Sequence, residues 1–412
     1  MSNTLVDIDT AIKTIRAQFP ILKREVKGKP LVYFDNAATT QKPEVVLKAI
    51  DHYYRNTNAN VHRGIHSLSE EGTLAMEGSR NYIAEYIGAK REEVIFTRGT
   101  TESINLVAYS LGLFHFKKGD EILISNLEHH ANIVPWQILC ERLELKLRII
   151  EINELGELDI ESFRAQLTDK TKLVSVVHTS NALGVINPVK TIISEAHSAG
   201  ALVLIDGAQA MAHDRVDVKS LDCDFFAFSS HKLFGPTGVG ILYGKEALLE
   251  KMPPYQSGGE MIAEVSFEKT TYNELPYKFE AGTPHIEGNI VFSEAVKWFA
   301  SLDIEMIKEH EKSLLVSATE KLKAIDGLRI VGEAQNKASV VSFVVDGVHH
   351  QDLALFLDTH GIAVRTGHHC TQPLMQRFGI SGTTRASFSV YNTLDEIDFF
   401  AEALKKTINI LR

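Results

Sequence analysis

The chain has little cysteine, no surplus of positive charge and no long apolar stretch, and each shortage removes a class of protein. Three cysteines in 412 residues, none in CxxC spacing, do not make a disulfide framework. A formal net charge of -10 argues against nucleic acid or an anionic membrane surface as the main partner. No apolar run nears the ~20 residues of a membrane span, and the longest candidate, VVSFVV (340–345), is strand length. The opening residues, MSNTLVDIDTAIKTIRAQF, lack a continuous apolar segment and a small-residue cleavage site, so a cytoplasmic, reducing location is expected. There is no HExxH. GPTGVGILYG has no lysine after a GxxxxG pair, as a Walker loop requires, and GVGILY lacks the third glycine of a dinucleotide fingerprint.

What the chain does have is a rhythm. Between about residues 93 and 243, short apolar runs alternate with helical stretches: EVIFT (93–97), EILIS (121–125), KLVSVV (172–177), ALVLID (201–206), DFFAFS (224–229) and GILYG (240–244). Buried β-branched runs separated by helices predict a mostly parallel α/β sheet. From about residue 339 the pattern changes. SVVSFVV, a helix over QDLALFLDTH, IAVRT, RASFSV and a final amphipathic helix, TLDEIDFFAEALKKTINIL, predict a smaller α+β domain. The expected division is a large domain at 25–297 and a small C-terminal domain at 298–412. A helix within residues 1–24 is expected to pack on the latter, and a helix from about Ile290 to bridge the two.

Ligands of open parallel sheets bind outside the carboxyl ends of the strands. The polar residues expected there are Thr100 and Thr101, opening a helix after Gly99, then His129, His178 and Asn181, Asp206 and Gln209, and Ser229, His231 and Lys232. A helix N-terminus with threonine hydroxyls suits a phosphate. A carboxylate at a strand end, a planar histidine and a lysine able to attack a carbonyl complete the needs of a pyridoxal phosphate site, where lysine holds the aldehyde and aspartate keeps the ring nitrogen protonated. Taken singly, each residue also has a plain structural role. A lysine is ordinarily a solvated surface residue, Asp206 suits a turn or cap, Thr100 and Thr101 suit a helix cap, and Arg385 suits a structural ion pair. Cys140 and Cys223 read as core thiols. Cys370 differs, because TGHHCTQP has no apolar periodicity to bury it, and Arg365 with His368 and His369 could stabilise its thiolate.

The motifs FDNAATT, NVHRGIH, RGTTESINLV, EHHANIVPWQ, IDGAQA, SSHKLFGPTGVGILYG, FEAGTP and VRTGHHCTQPLM, in that order from about residue 20 to the C-terminus, resemble the fold-type I pyridoxal-phosphate cysteine desulfurases, specifically the SufS-like group that includes selenocysteine lyases. The resemblance implies a seven-stranded sheet in the large domain, Lys232 as the covalent cofactor anchor, Asp206 on the pyridine nitrogen, Gln209 on the ring hydroxyl and His129 stacked on the ring and active in proton transfer. It implies that Thr101, Ser229 and His231 hold the phosphate, with Thr283 reaching in from the other subunit of a homodimer whose interface includes residues 257–284. Asn181 and Arg385 match carboxylate-binding positions, Arg365 lies in the same signature near the substrate, and Cys370 matches the persulfide-forming nucleophile. The implied substrate is L-cysteine, giving L-alanine, and the implied partner is a small SufE- or SufU-like sulfur acceptor of iron–sulfur cluster assembly. L-Selenocysteine and cysteine sulfinate share the same anchoring groups and stay open as main substrates. A rival of another class is a metal-binding protein built on His62 and His66 at i, i+4 and on the GHHC run.

Overall fold

Side chains alternate between two covered faces along the central strands. The computed structural model describes residues 8–412. Its main sheet contains β1 (Val94–Thr97), β2 (Glu121–Ser125), β3 (Lys146–Ile150), β4 (Thr171–Val177), β5 (Leu202–Asp206), β6 (Phe225–Ser229) and β7 (Gly240–Gly244). Their spatial order is β1-β7-β6-β5-β4-β2-β3. Leu123, Val174, Val203 and Phe226 enter one apolar core, while their neighbours Ile122, Leu173, Leu204 and Phe225 enter the other. Both faces are therefore dry, which is why these strands read as near-continuous apolar runs. β2 to β6 pair in parallel, whereas β7 runs antiparallel to both β6 and β1. The sheet is mixed at that one strand.

Six of the seven strands lie where the apolar runs put them. β3 has no such run: it is an edge strand carrying Lys146 and Arg148, largely half-buried, and directly follows the helix Val134–Leu143. Edge strands with charged residues lose the continuous hydrophobic signal.

A second, four-stranded antiparallel sheet joins Leu328–Val331, Val340–Val345, Thr383–Ser387 and Arg365–Gly367 in that spatial order. Its core takes apolar residues from the helices Ile304–Lys323, His350–Asp358 and Leu394–Leu411. Thr393 and Glu396 form a reciprocal capping box at the start of the last helix. Val32 and Phe34 also pack in this core, and Val32–Tyr33 pairs with Ile362–Ala363. A segment early in the chain thus belongs spatially with the late one. The helix Ile286–Ala300 runs between the two parts of the sequence. Of the N-terminal helix expected within residues 1–24, residues 1–7 lie outside the described residues. The helix Ile8–Arg16 is described, and Arg16 donates to the Tyr391 carbonyl at 2.7 Å and pairs with Glu396 at 2.7 Å.

The close approach of β7 to the turn after β1 constrains one glycine. A Cβ built on Gly240 would lie 2.4 Å from the Cα of Gly99, which itself holds a φ of 152°. Gly240→Ala is expected to cost ~1–3 kcal/mol through overpacking against backbone, read as a lower urea midpoint together with weaker retention of any ligand at the Thr100 helix. An unchanged midpoint would show that the turn yields freely.

Candidate active site

The carboxyl ends of β4, β5 and β6 deliver Asn181, Asp206 with Gln209, and Ser229 with His231 and Lys232 to one cavity of ≈ 290 Å³. Thr100 and Thr101, at the N-terminus of the helix Thr100–Gly112, His129 from the turn after β2, and Arg365, Cys370 and Arg385 from the second sheet and its loops complete the lining. Twelve of the fourteen residues expected at the strand ends or implied by the resemblance therefore meet. One exception is Thr283, which lines a neighbouring recess with Arg98, Tyr255 and Gln256. His178 stands at the end of β4 but does not line the cavity; its backbone N–H donates to the Asp206 carbonyl at 2.8 Å.

Burial sets the protonation states. Desolvation pulls the Lys232 ammonium down to about 8, against the attraction of Asp206 and with help from the Arg385 and Arg365 charges. The Asp206 carboxyl is raised by its own burial, opposed by Lys232 and by the Ala208 N–H, which donates to Oδ1 at 2.9 Å. His129 falls to about 4 through burial and then Lys232, and His231 falls to about 4 for the same reasons. Both imidazoles are neutral at pH 7. His129 Nδ1 accepts the Ala131 N–H at 3.0 Å, which leaves the ring proton on Nε2.

These groups fit pyridoxal phosphate on grounds of their own arrangement. The Ser229 hydroxyl meets the Thr100 N–H at 2.9 Å and the Thr100 hydroxyl at 2.8 Å, so a cluster of hydroxyls sits where a helix dipole favours a phosphate. A second recess continues from there, lined by Arg98, Asn105 and Tyr255 together with Thr101, Ser229 and His231. A buried carboxylate finds a partner in a cationic ring nitrogen, and a lysine with a depressed pKa has a neutral amine to offer an aldehyde. Gln209 donates Nε2 to the Ala37 carbonyl at 2.6 Å, which fixes its amide against the cavity wall.

The carboxylate-binding end is built across a long sequence distance. Arg385 is 1% exposed, donates to the Asn181 carbonyl at 2.9 Å and to Asp35 at 3.1 Å, and keeps a buried Nε without a hydrogen-bond partner. Burial draws this guanidinium down to about 10, with Asp35 opposing. Asn181 likewise has a buried Oδ1 without a partner, while its Nδ2 donates to the His369 carbonyl at 2.8 Å. Arg385 is thus ion-paired and still has a donor to spend on a ligand. Arg365 grips the same Asp35 carboxylate through Nε at 3.0 Å and a terminal nitrogen at 2.9 Å. Asp35 was missed by the sequence reading. It stands in the FDNAATT motif, but only contacts 330 and 350 residues away reveal its role.

Cys370 is exposed, whereas Cys140 and Cys223 are buried away from the cavity, with thiols that desolvation raises, to about 11 for Cys140. Of the groups expected to stabilise a Cys370 thiolate, Arg365 lines the cavity as a permanent cation, whereas His369 is disfavoured as an imidazolium by its position. His369 is buried, shares a 2.8 Å hydrogen bond with Thr383, and is held well below the usual imidazole range by burial and by Arg385 and Arg365. His368 is exposed and accepts the Cys370 N–H at Nδ1 at 3.3 Å. The His62 and His66 pair is not helical: His62 has a φ of 68° and contacts Glu77, and His66 caps the helix Ser67–Ile87. Among the described residues, no group of three or more His, Cys, Asp or Glu could hold a metal ion.

The family described as Aminotransferase class-V matches residues 32–400. The chain is 49% identical over 401 residues to a probable cysteine desulfurase of Vibrio cholerae, covering 97% of this chain and 99% of that one. Among solved structures, it is similar to the apo cysteine desulfurase from Thermococcus onnurineus at 42% identity and a TM-score of 0.92, covering 96% of this chain and 98% of the other. It is also similar to the cysteine desulfurase CsdA (S-sulfonic acid) from Escherichia coli at 38% identity and a TM-score of 0.91, covering 97% and 99%.

The depressed Lys232 pKa is open to measurement. The neutral amine is the form that captures an aldehyde, so uptake of added pyridoxal phosphate by cofactor-free protein should rise with pH and level off above about 8. A rate still climbing at the highest accessible pH, as for an amine at its ordinary 10.5, would contradict the burial argument.

Proposed function

The chain belongs to the class-V aminotransferase family and is a pyridoxal-phosphate-dependent cysteine desulfurase, and from this premise we propose that it delivers the sulfur of L-cysteine to Cys370 as a persulfide for transfer to a small acceptor protein. The observation that carries the reading is that one exposed thiol, Cys370, lines the same cavity as half-buried Lys232.

Bound pyridoxal phosphate supplies an aldehyde for the amine of Lys232 or substrate and a ring that absorbs the electron pair left at the substrate α-carbon. Arg385 binds the substrate carboxylate with its spare Nε donor, and Asn181 reaches that carboxylate by turning its Nδ2 from the His369 carbonyl to the ligand. Asp206 would keep the pyridine nitrogen protonated, and Gln209 would bind the ring hydroxyl. Thr100, Thr101, Ser229 and His231 hold the phosphate. Lys232 would remove the α-proton of the substrate, and His129, neutral and protonated on Nε2, would pack on the cofactor ring and pass on a proton. The Cys370 thiolate attacks the substrate sulfur. An S–S bond forms as the Cβ–S bond breaks, and the electron pair stays with the carbon fragment, which is reprotonated to alanine. The balance is cysteine plus thiol giving alanine plus persulfide. Thiol exchange then passes the outer sulfur on, and the exposure of Cys370 supports a docking partner, a SufE- or SufU-like acceptor serving iron–sulfur cluster assembly.

The same reading assigns the chain to the SufS-like group, divides it at 297/298 into two domains, and makes it a cytoplasmic homodimer. Among the described residues no helix is long and apolar enough to cross a membrane. The hairpin of Ile262–Val265 and Thr270–Tyr272 leaves Val265 64% and Phe267 108% exposed, which suits an interface, with Thr283 supplied to the partner's phosphate site. Selenocysteine lyase activity belongs to this proposal as a second activity, and alanine release from cysteine, selenocysteine and cysteine sulfinate measures the preference.

Two variants test the assignments. Cys370→Ala is expected to keep bound cofactor and thermal stability but to lose alanine production from cysteine; in the wild type the added sulfur should map by mass spectrometry to Cys370 and not to Cys140 or Cys223. Normal desulfuration by this variant sinks the persulfide mechanism. Asp206→Asn removes the charge that protonates the ring nitrogen, and the rate is expected to fall on the order of 10²-fold, roughly 3 kcal/mol of barrier, with cofactor still bound. Unchanged kinetics would make Asp206 structural.

A further inference from the structure

His130 does not line the cavity, and the reaction described above leaves it unused. Yet two of its polar groups hold the loop that carries Cys370. The His130 backbone N–H donates to the Cys370 carbonyl at 2.7 Å, and its ring Nε2 accepts the Gln372 N–H at 3.0 Å. Gln372 opens the helix Gln372–Arg377, so its N–H is one of the amides that a helix leaves unpaired, and His130 satisfies it from 242 residues away.

That loop needs holding. His369 and Cys370 adopt consecutive positive φ values of 51° and 57°, a conformation that residues with side chains keep only when their surroundings fix it. Asn181 restrains the His369 carbonyl and His130 restrains the two residues on either side of Thr371. The other end of the His130 clamp is firm. Its neighbour Asn132 receives a hydrogen bond from the buried Ser175 and donates to the buried Glu128 at 2.6 Å, while Trp136 donates to Asn132 at 2.8 Å. His129, facing Lys232, caps the same short turn, His130–Asn132.

We propose that His130 is a positioning residue for sulfur transfer: it registers the Cys370 loop against the segment that carries His129, so that the Cys370 sulfur and the substrate sulfur meet in one geometry. The inference rests on Cys370 being the sulfur acceptor. The acceptor role of Nε2 requires a neutral ring with its proton on Nδ1, and burial together with the nearby His368 ring favours the neutral form.

His130→Leu removes the ring acceptor and keeps the backbone donor; His130→Gln restores an acceptor near the position of Nε2. In His130→Leu the Gln372 amide should exchange with deuterium about tenfold faster, in cofactor-free and loaded protein alike, and single-turnover persulfide formation on Cys370 should slow about tenfold, as befits one lost hydrogen bond. KM for cysteine and the visible absorption of bound cofactor should stay unchanged, and His130→Gln should recover most of both losses. If His130→Leu does not fold, His130→Asn, too short to reach the Gln372 N–H, takes its place with the same expectations. Wild-type protein that forms no persulfide on Cys370 overturns the acceptor reading and the inference built on it. A wild type that forms it, beside a Leu or Asn variant that forms it as fast or shows unchanged Gln372 exchange, overturns the positioning role alone. So does a His130→Gln variant as impaired as His130→Leu.

Discussion

Asp206 is buried and Lys232 half-buried at or just past the ends of adjacent parallel strands, and most of the site's chemistry descends from that partial desolvation. An ammonium that loses water is destabilised unless the charge is paired or given up. Lys232 gives up part of it and Asp206 leans toward its neutral form. The same desolvation, with the nearby Lys232 charge, lowers His129 and His231. The backbone around the lysine is held in turn. The His231 carbonyl accepts from the Thr39 hydroxyl at 3.0 Å, from the Thr40 N–H at 3.1 Å and from Lys42 at 3.0 Å, so the peptide leading into Lys232 is fixed by three residues of one early loop. A group meant to form and release a covalent bond gains from a rigid stem, because only its side chain then has to move.

The second sheet supplies what the first cannot. The parallel strands bring a phosphate cradle, a carboxylate and an amine, but no cation for a substrate carboxylate and no accessible thiol. Arg385, Arg365 and Cys370 come from the C-terminal part, and Asp35 ties both arginines into the same wall. The two guanidiniums would repel each other without it. Asp35 lets them share one edge of the cavity, and Arg385 still retains a free donor.

Much of this was legible in the chain. Six sheet strands announced themselves through β-branched runs, and residues after five of them, β1, β2, β4, β5 and β6, share one cavity. β3 escaped because an edge strand with Lys146 and Arg148 alternates too weakly, and Leu328–Val331 escaped for a similar reason, with Leu328 and Arg329 incompletely buried. Sequence shows two adjacent imidazoles, His368 and His369, but not that His369 is buried against Thr383 while His368 stays exposed beside the Cys370 N–H.

The sequence by itself determined the strand-and-helix order, the two-part pattern and the residue types at the strand ends, because hydrophobic periodicity and turn chemistry are local and survive in the order of residues. Only the tertiary structure decided which distant groups meet. Asp35 between Arg365 and Arg385, His130 on the Cys370 loop, and Val32 and Phe34 in the C-terminal core are contacts across hundreds of residues. Protonation likewise depends on the water that packing excludes, and no single stretch of chain carries that information.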